Sequence, residues 1–431
     1  MLAAISNRYV FILSPNYQKR DLAGGPGIQS GHVIIPGSGR RFIEINYICS
    51  SQKHRDMTIG ILKEPVGENR VSLLPEGAAN VIKLGTDVLL ETGAGVHARA
   101  HDKVYEQAGV RIVSRKEVIQ GSDILLSVQP PDQASLELMR EGQVLMGVYN
   151  PLVEFDLVKR MASAGLTVFS LDTIPRITRA QSMDVLSSMS TVSGYKAVID
   201  AAHNLPYFFP MLMTAAGTIK PARVLVLGAG VAGLQAIATS RKLGAIVHAF
   251  DVRSAVKEQV ESLGAKFVQV EGATEDAAAG GYAVEQTDEF RQKQAEAIHN
   301  RAVESDVIIA TAQIPGKRAP ILIRKETVEA MGPASVIIDL AASTGGNCEL
   351  TRDNEVVVHN QVRIIGKSNY ASDMPSDASK MYGNNVINFL KLIVDKEGKL
   401  FLNFEDEIVQ GTCTTHAREV VNPRVKTLMG L

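Results

Sequence analysis

Residues 223–251 read Arg-Val-Leu-Val-Leu-Gly-Ala-Gly-Val-Ala-Gly-Leu-Gln-Ala-Ile-Ala-Thr-Ser-Arg-Lys-Leu-Gly-Ala-Ile-Val-His-Ala-Phe-Asp. An apolar run at 224–227 meets Gly228-x-Gly230-x-x-Gly233. A segment of helical period follows to Leu243, where Gly244 stops it. A second apolar run at 246–250 ends in Asp251. Few folds accept this succession of strand, glycine turn, helix, strand and acid, and it is the context a dinucleotide-binding fingerprint requires. Gly228 permits the tight turn, Gly230 lets the backbone approach a pyrophosphate, and Gly233 lets helix and strand pack closely. Ala229 and Val231 lie in the same turn and join the candidate contacts. The helix N-terminus offers its N–H groups and positive dipole end to phosphates. Asp251 is placed to accept hydrogen bonds from ribose hydroxyls and to repel a 2′-phosphate, which points to NAD(H) rather than NADP(H).

The 431 residues suffice for two or three domains, and a formal net charge of −1 gives no bulk electrostatic case for nucleic acid or an acidic membrane surface. Cys49, Cys348 and Cys413 are far apart and show no metal-ligand spacing. No metal site is expected, and so sparse a count fits a reducing compartment. No stretch reaches the ~18 consecutive apolar residues of a membrane-spanning helix. The most apolar segment, 205–217, is short and contains Pro206 and Pro210, and it reads as a buried core helix behind a turn.

Residues 1–56 carry clustered Gly, Pro and Ser, as in Ala23-Gly-Gly-Pro-Gly27 and Pro36-Gly-Ser-Gly39, with no sustained periodicity. They read as an N-terminal extension without regular structure, either a tail or translated upstream sequence, with a targeting presequence as the alternative. From Thr58 strand-like runs at 59–62, 88–90, 111–113, 124–128, 144–148 and 167–170 alternate with helical stretches such as 76–84. The rhythm resumes with 224–227, 246–250, 266–268, 307–310 and 336–340. Short, near-continuous apolar runs between helices indicate parallel sheets covered on both faces. The expected fold is α/β, with two Rossmann-like, doubly wound parallel-sheet domains separated by a cleft. The first spans 57–186 and, discontinuously, 374–431; the second, carrying the fingerprint, spans 187–373. A helix at 379–393 is expected to return and pack on the first domain.

A dehydrogenase that oxidises an alcohol or amine needs a proton acceptor beside the carbon losing hydride. His97 and His101 lie in a polar, Gly-rich loop without a partner, and His203 stands at a helix end, where capping is its plain role. None forms an acid–base pair with a neighbouring carboxylate. The segment 175–188, Pro-Arg-Ile-Thr-Arg-Ala-Gln-Ser-Met-Asp-Val-Leu-Ser-Ser, is dense in hydrogen-bonding groups and follows the last strand of the first domain. It reads either as a linker with a helix cap at Ser182 or as a ligand loop. In the second case Arg176, Gln181 and Asp184 supply a donor, a two-way group and an acceptor suited to a carboxamide. The stretch 271–282, Glu-Gly-Ala-Thr-Glu-Asp-Ala-Ala-Ala-Gly-Gly-Tyr, is small and flexible and reads as a connector or as a closing lid ending in Tyr282.

Three motifs carry a resemblance. Gly60-Ile-Leu-Lys-Glu-Pro65 and Glu68-Asn-Arg-Val-Ser72 are similar to the shared opening of proton-translocating NAD(P) transhydrogenases and alanine dehydrogenases. Arg176-Ile-Thr-Arg-Ala-Gln181-Ser-Met-Asp184 resembles the transhydrogenase loop named for its Arg, Gln and Asp, a far more specific match. From Met57 to about Pro423 the chain looks like the NAD(H)-binding component, domain I, of transhydrogenase. The resemblance implies that Arg176, Gln181, Asp184 and Ser187 hold and orient the dihydronicotinamide, with Ile177, Thr178, Ser182 and Met183 contributing from the same loop. It also implies nucleotide contacts at Asp251, Val252, Arg253, Gln294 and Gln313, and a mobile loop closing through Gly281 and Tyr282. Residues 368–379 follow the family pattern only loosely.

The alanine dehydrogenase alternative relies on a His where this chain has Asn150 and on a Lys where it has Gln129. Asn and Gln supply neither a proton acceptor near neutral pH nor the positive charge that fixes a carboxylate. The transhydrogenase resemblance therefore implies direct hydride transfer between NAD(H) on this chain and NADP(H) on a partner component. It further implies a homodimer, membrane-spanning partner subunits that move protons, and a cytoplasmic position peripheral to the inner membrane. A non-catalytic NAD(H)-binding module is the remaining reading, and no DNA-reading element or basic patch supports a regulator.

Overall fold

The computed structural model describes residues 28–34, 42–48, 57–270, 272, 287–313 and 316–431. Within the N-terminal extension, strands β1 (Ile28–Ile34) and β2 (Phe42–Ile48) pair antiparallel from Ile28↔Ile48 to Ile34↔Phe42. This corrects the expectation that the extension lacks regular structure, as far as its described residues go. The Pro-Gly-Ser-Gly turn signal lies between two runs rich in isoleucine, a hairpin pattern that the Gly and Pro content obscures.

Residues 57–431 form one unit built on two sheets. The first uses β3 (Thr58–Ile61), β4 (Asp87–Glu91), β5 (Arg111–Val113), β6 (Ile124–Leu126), β7 (Val144–Gly147) and β8 (Thr167–Ser170). A protruding hairpin follows, β9 (Leu212–Thr214) and β10 (Gly217–Ile219). The second sheet uses β11 (Arg223–Leu227), β12 (Ile246–Phe250), β13 (Lys266–Phe267), β14 (Val307–Ala310), β15 (Val336–Asp339), β16 (Glu355–His359) and β17 (Val362–Gly366). The chain then returns to the first sheet with β18 (Cys413–His416) and β19 (Glu419–Val420).

The first sheet runs β19-β18-β8-β7-β6-β3-β4-β5 and the second β13-β12-β11-β14-β15-β17-β16. The parallel cores, β5-β4-β3-β6-β7-β8 and β13-β12-β11-β14-β15-β17, share one winding: three strands counted outward one way, then three the other. This is the 3-2-1-4-5-6 order of a dinucleotide-binding sheet, with a topological switch between β3 and β6 and another between β11 and β14. β3, β6, β7, β8, β14 and β15 are buried along their whole length. Burial on both faces is why they read as unbroken apolar runs. Both sheets end in antiparallel strands that the α/β alternation does not disclose: β18 against β8, and β16 against β17.

Two helices join the halves. Val185–Asn204 crosses from the first sheet to the second, and Pro375–Ile393 returns. The return helix packs onto the first sheet, where Tyr382 Oη donates to the Ser127 carbonyl at 2.9 Å and Phe389 stacks on Phe169 with centroids 5.2 Å apart. The loosely matching segment before it is nonetheless stitched in, since the backbone N–H groups of Asn69 and Val71 donate to Ser372 Oγ and Ser379 Oγ at 2.8 and 2.9 Å.

Segment 205–217, expected as a buried helix, is instead a turn leading into β9. Pro206 and Pro210 remove backbone donors and break the helix. Tyr207, Phe208, Met211 and Met213 are exposed, Met213 at 77%. Among the described residues no helix is long and apolar enough to cross a membrane.

Candidate functional site

The glycine turn is built as its three glycines require. Gly228 has φ +94°, and a Cβ there would lie 2.7 Å from Thr311 Oγ1. A Cβ on Gly233 would lie 1.8 Å from the Gly228 carbonyl oxygen, so only glycine lets this helix sit on its strand. A Cβ on Gly230 would meet nothing within 4 Å; this glycine faces open space, where a ligand's approach would be the constraint. Gly230 is the N-cap of helix Val231–Lys242, and no side chain caps it. The first-turn N–H groups therefore keep the capacity to bind an anion.

Asp251 ends β12 and folds back on this turn. Its Oδ2 accepts from Ala229 N at 2.7 Å and from Arg253 Nη2 at 2.8 Å. Its Oδ1 accepts from Arg253 N and Arg253 Nε, both at 2.9 Å. The Asp251 side chain is 7% exposed and that of Arg253 27%. A carboxylate offers about four lone-pair sites, so these four donors fill it. Gln313 is exposed at the end of the β14 loop, with Nε2 3.4 Å from Thr344 Oγ1, and Gln294 is buried on helix Asp288–Val303. The lid expectation, Gly281 and Tyr282, lies outside the described residues.

The ligand-loop segment is a 3₁₀ turn, Thr178–Met183, leading into helix Val185–Asn204. The cap falls at Asp184 and not at Ser182 as the linker reading has it. Asp184 Oδ1 accepts from Ser187 N at 2.9 Å while Ser187 Oγ donates to Asp184 Oδ2 at 2.6 Å. A carboxylate caps a helix end better than a hydroxyl because the macrodipole adds to the hydrogen bond. Ala180 and Met183 are buried and pin the loop, whereas Arg176, Thr178, Gln181 and Ser182 are exposed. Arg179 clamps it from outside with a two-pronged pair to Asp406 at 2.6 and 2.9 Å. Asn385 and Asn388 of the return helix both donate to the Ser182 carbonyl, at 2.8 and 3.1 Å.

One helix ties this loop to the glycine turn. Gly194, in the middle of Val185–Asn204, lies against Ala232 in the first turn of the fingerprint helix; a Cβ on Gly194 would be 2.2 Å from the Ala232 carbonyl oxygen. The nine residues between Val185 and Gly194 span about 14 Å of helix. The structure thus brings Asp184 and Ser187 together, brings the glycines and Asp251 together, and sets the spacing between the two groups by a backbone-to-backbone contact.

A third cluster escapes the reading of the sequence. It lies past the ends of β3 and β6. Glu68 and Arg70 form a buried two-pronged ion pair, with Nε to Oε1 at 2.8 Å and Nη2 to Oε2 at 2.6 Å. Gln129 Nε2 and Asn369 Nδ2 approach the same Glu68 Oε2 at 3.4 and 3.2 Å. Burial opposes the Glu68 charge, but the Arg70 pair outweighs it and holds this carboxyl at about 2. Glu64, between them and the sheet, accepts from the backbone N–H groups of Val128 and Gln129 at 2.6 and 2.9 Å. Burial pushes its carboxyl up to about 8 against those two donors. The signal is present as Glu68-x-Arg70: in an extended segment, residues two apart point the same way. Asn150 is exposed in a left-handed conformation, φ +55°, which Asn tolerates. Neither Asn150 nor Gln129 is an acid or a base, and the Arg70 charge is already met by Glu68.

Comparison with known proteins agrees with this geometry. Residues 60–193 match the family model described as alanine dehydrogenase/PNT, N-terminal domain, and residues 197–423 match alanine dehydrogenase/PNT, C-terminal domain. The chain is 47% identical over 377 residues to the first of the two-part alpha chains, NAD(P) transhydrogenase subunit alpha of Rhodospirillum rubrum, covering 85% of this chain and 98% of that one. It is 43% identical over 370 residues to NAD(P) transhydrogenase subunit alpha of Haemophilus influenzae, covering 85% and 72%. The crystal structure of transhydrogenase from Sinorhizobium meliloti superposes with a TM-score of 0.78 at 42% identity, over 84% of this chain and 100% of that one. The chain belongs to the alanine dehydrogenase/PNT family, among its NAD(P) transhydrogenase alpha subunits, nucleotide-binding proteins of oxidoreductase type with a Rossmann-like fold.

Proposed function

We propose that this chain binds NAD(H) at the glycine turn and exchanges a hydride directly with NADP(H) carried by a partner component, proton translocation being the work of separate membrane subunits. NAD(H) supplies the hydride at its nicotinamide carbon. The chain's own task is to hold that ring. Gly228, Gly230 and Gly233 shape the phosphate cradle, with Ala229, Val231, Asp251, Val252, Arg253, Gln294 and Gln313 around it. Arg176, Gln181, Asp184 and Ser187 grip the carboxamide end, with Ile177, Thr178, Ser182 and Met183 beside them, and Gly281 and Tyr282 complete the closure.

The observation that carries this reading is the union of a rigidly braced polar loop and a phosphate cradle on one helix, with no acid or base supplied at Asn150 or Gln129. Hydride transfer between two nicotinamides moves no proton, so positioning is the catalysis. The exposed hairpin supports a homodimer, since apolar Met211, Met213 and Ile219 stand in solvent on β9 and β10 and their approach and fit burial against a second copy. We place the assembly on the cytoplasmic face of the inner membrane, reached through its partners.

The test is to mix the purified chain with an NADP(H)-binding transhydrogenase component and follow reduction of an NADP analogue by NADH. Transfer that requires both proteins is expected. NADH binding without transfer would overturn the proposal in favour of a binding module. NADH oxidation by this chain alone, dependent on pyruvate and ammonia, would instead establish an alanine dehydrogenase.

A further inference from the structure

Asp251 stands where a dinucleotide-binding sheet meets the adenosine ribose, yet its four acceptor sites are filled by Ala229 N and by three donors of Arg253. Ribose hydroxyls can bond this carboxylate only by displacing the mobile donors, which are those of the guanidinium; the two backbone N–H groups belong to the turn and the strand end. The displaced Arg253 then lies two residues from the carboxylate that receives the 2′-hydroxyl. A guanidinium beside O2′ is the group that accommodates a 2′-phosphate in NADP(H)-binding relatives of this fold.

We propose that Arg253 is a latent receptor for a 2′-phosphate, kept shut by Asp251, and that this single ion pair sets the preference for NAD(H) over NADP(H). The proposal rests on the cofactor assignment above. Asp251 acts twice: it repels the phosphate and it occupies the cation that would bind one. Removing the acid's charge therefore does more than relieve a repulsion. It releases a ready partner, so that acceptance of NADP(H) needs no new basic residue. The carboxylate also anchors the glycine turn through Ala229 N, so the informative substitution is Asp251→Asn, whose amide oxygen retains that bond while its NH₂ cannot hold a guanidinium.

The experiment measures NADH and NADPH binding to the full chain by nucleotide fluorescence. Asp251→Asn should tighten NADPH by about tenfold to a hundredfold, the worth of a charge-assisted hydrogen bond, and weaken NADH by about tenfold. Asp251→Asn combined with Arg253→Ala should lose the NADPH gain, and Arg253→Ala alone should gain nothing. Asp251→Ser, which also leaves a hydroxyl acceptor for Ala229 N, serves as a second route, with thermal unfolding to show that each variant is folded. A folded Asp251→Asn or Asp251→Ser chain with unchanged NADPH affinity would overturn the proposal. So would a gain that survives loss of Arg253, since another cation would then be the receptor. Failure of the unaltered chain to bind NADH would overturn the cofactor assignment itself, a result separate from either.

Discussion

Gly194→Ala isolates the contact that joins the ring-gripping loop to the phosphate cradle. The new Cβ would lie 2.2, 2.9 and 3.0 Å from the carbonyl oxygen, carbonyl carbon and Cα of Ala232. All three are backbone atoms in the first turn of the fingerprint helix, so no side chain can rotate away. A relaxed carbon–oxygen contact is about 3.3 Å, which requires the two helices to part by roughly 1 Å. Overpacking of this kind costs about 1–3 kcal/mol. Replacing glycine by alanine inside a helix returns about 1 kcal/mol. Net destabilisation should therefore be modest, about 0–2 kcal/mol. The effect on hydride transfer should be larger, since a misplacement of about 1 Å far from the chemistry can cost about 10²-fold in rate.

Urea unfolding gives the stability and stopped-flow transfer from NADH to an NADP analogue on the partner gives the rate. Gly77→Ala is the matched control, because it too lies in a helix but its Cβ would meet only the side chains of Ile387 and Leu73, both at 3.5 Å. It should leave the rate unchanged and stability equal or higher. A folded Gly194→Ala variant whose transfer rate stays within about twofold of the parent would refute the idea that this spacing sets the reacting geometry.

Gln181→Asn shortens the carboxamide of the exposed loop by one methylene; transfer should slow by roughly tenfold or more while NADH affinity holds within about twofold, and equal losses in both would remove its orienting role. Glu64 carries a pH signature. Its folded carboxyl titrates at about 8 against an ordinary 4.5, so the native state holds a proton that the unfolded chain has released. Stability should fall as pH rises between those values, by up to about 1.4 kcal/mol per pH unit. Glu64→Gln should abolish that slope, and a stability difference between parent and variant that is flat from pH 5 to 8 would contradict the assignment. Met213→Asp, on a side chain 77% exposed, should leave the fold intact and shift sedimentation from dimer toward monomer; an unchanged sedimentation coefficient would place the dimer interface elsewhere.

The parallel strands are legible because each is a short apolar run whose burial leaves its period unmistakable. Strands 111–113, 167–170, 246–250 and 307–310 occur with the expected bounds. What stays hidden is antiparallel and local. β18, Cys-Thr-Thr-His, holds one apolar residue in four and joins the sheet through backbone bonds to β8, which no period reveals. β9 and β10 read as core because Leu, Met and Ile are apolar, although the two prolines already forbid the helix that would have buried them. At the loop, residue types announce a cap, but choosing Asp184 over Ser182 depends on where the 3₁₀ turn ends, and that is decided by the buried anchors Ala180 and Met183. The Glu68–Arg70 pair escapes because a charge pair two residues apart in an irregular segment has no periodic signature.

The two sheets share a winding, and each offers a crevice at its switch point, where ligands bind in folds of this kind. They have treated it oppositely. At the second switch Gly230 leaves a space with nothing within 4 Å, and the helix N-terminus beside it carries no side-chain cap. At the first switch the crevice is filled from within by Arg70, Glu68, Gln129 and Asn369. A lysine at 129 would leave that cluster with one net positive charge; glutamine leaves it neutral, with the guanidinium satisfied by the chain's own carboxylate. A small carboxylate would have to displace Glu68 from a buried two-pronged pair, where breaking one partner away costs about 3–5 kcal/mol. A substrate pocket has thus become a structural brace under the loop that begins at Pro175. That explains why a chain with the architecture of a dehydrogenase carries its chemistry only at the edge facing a second nucleotide.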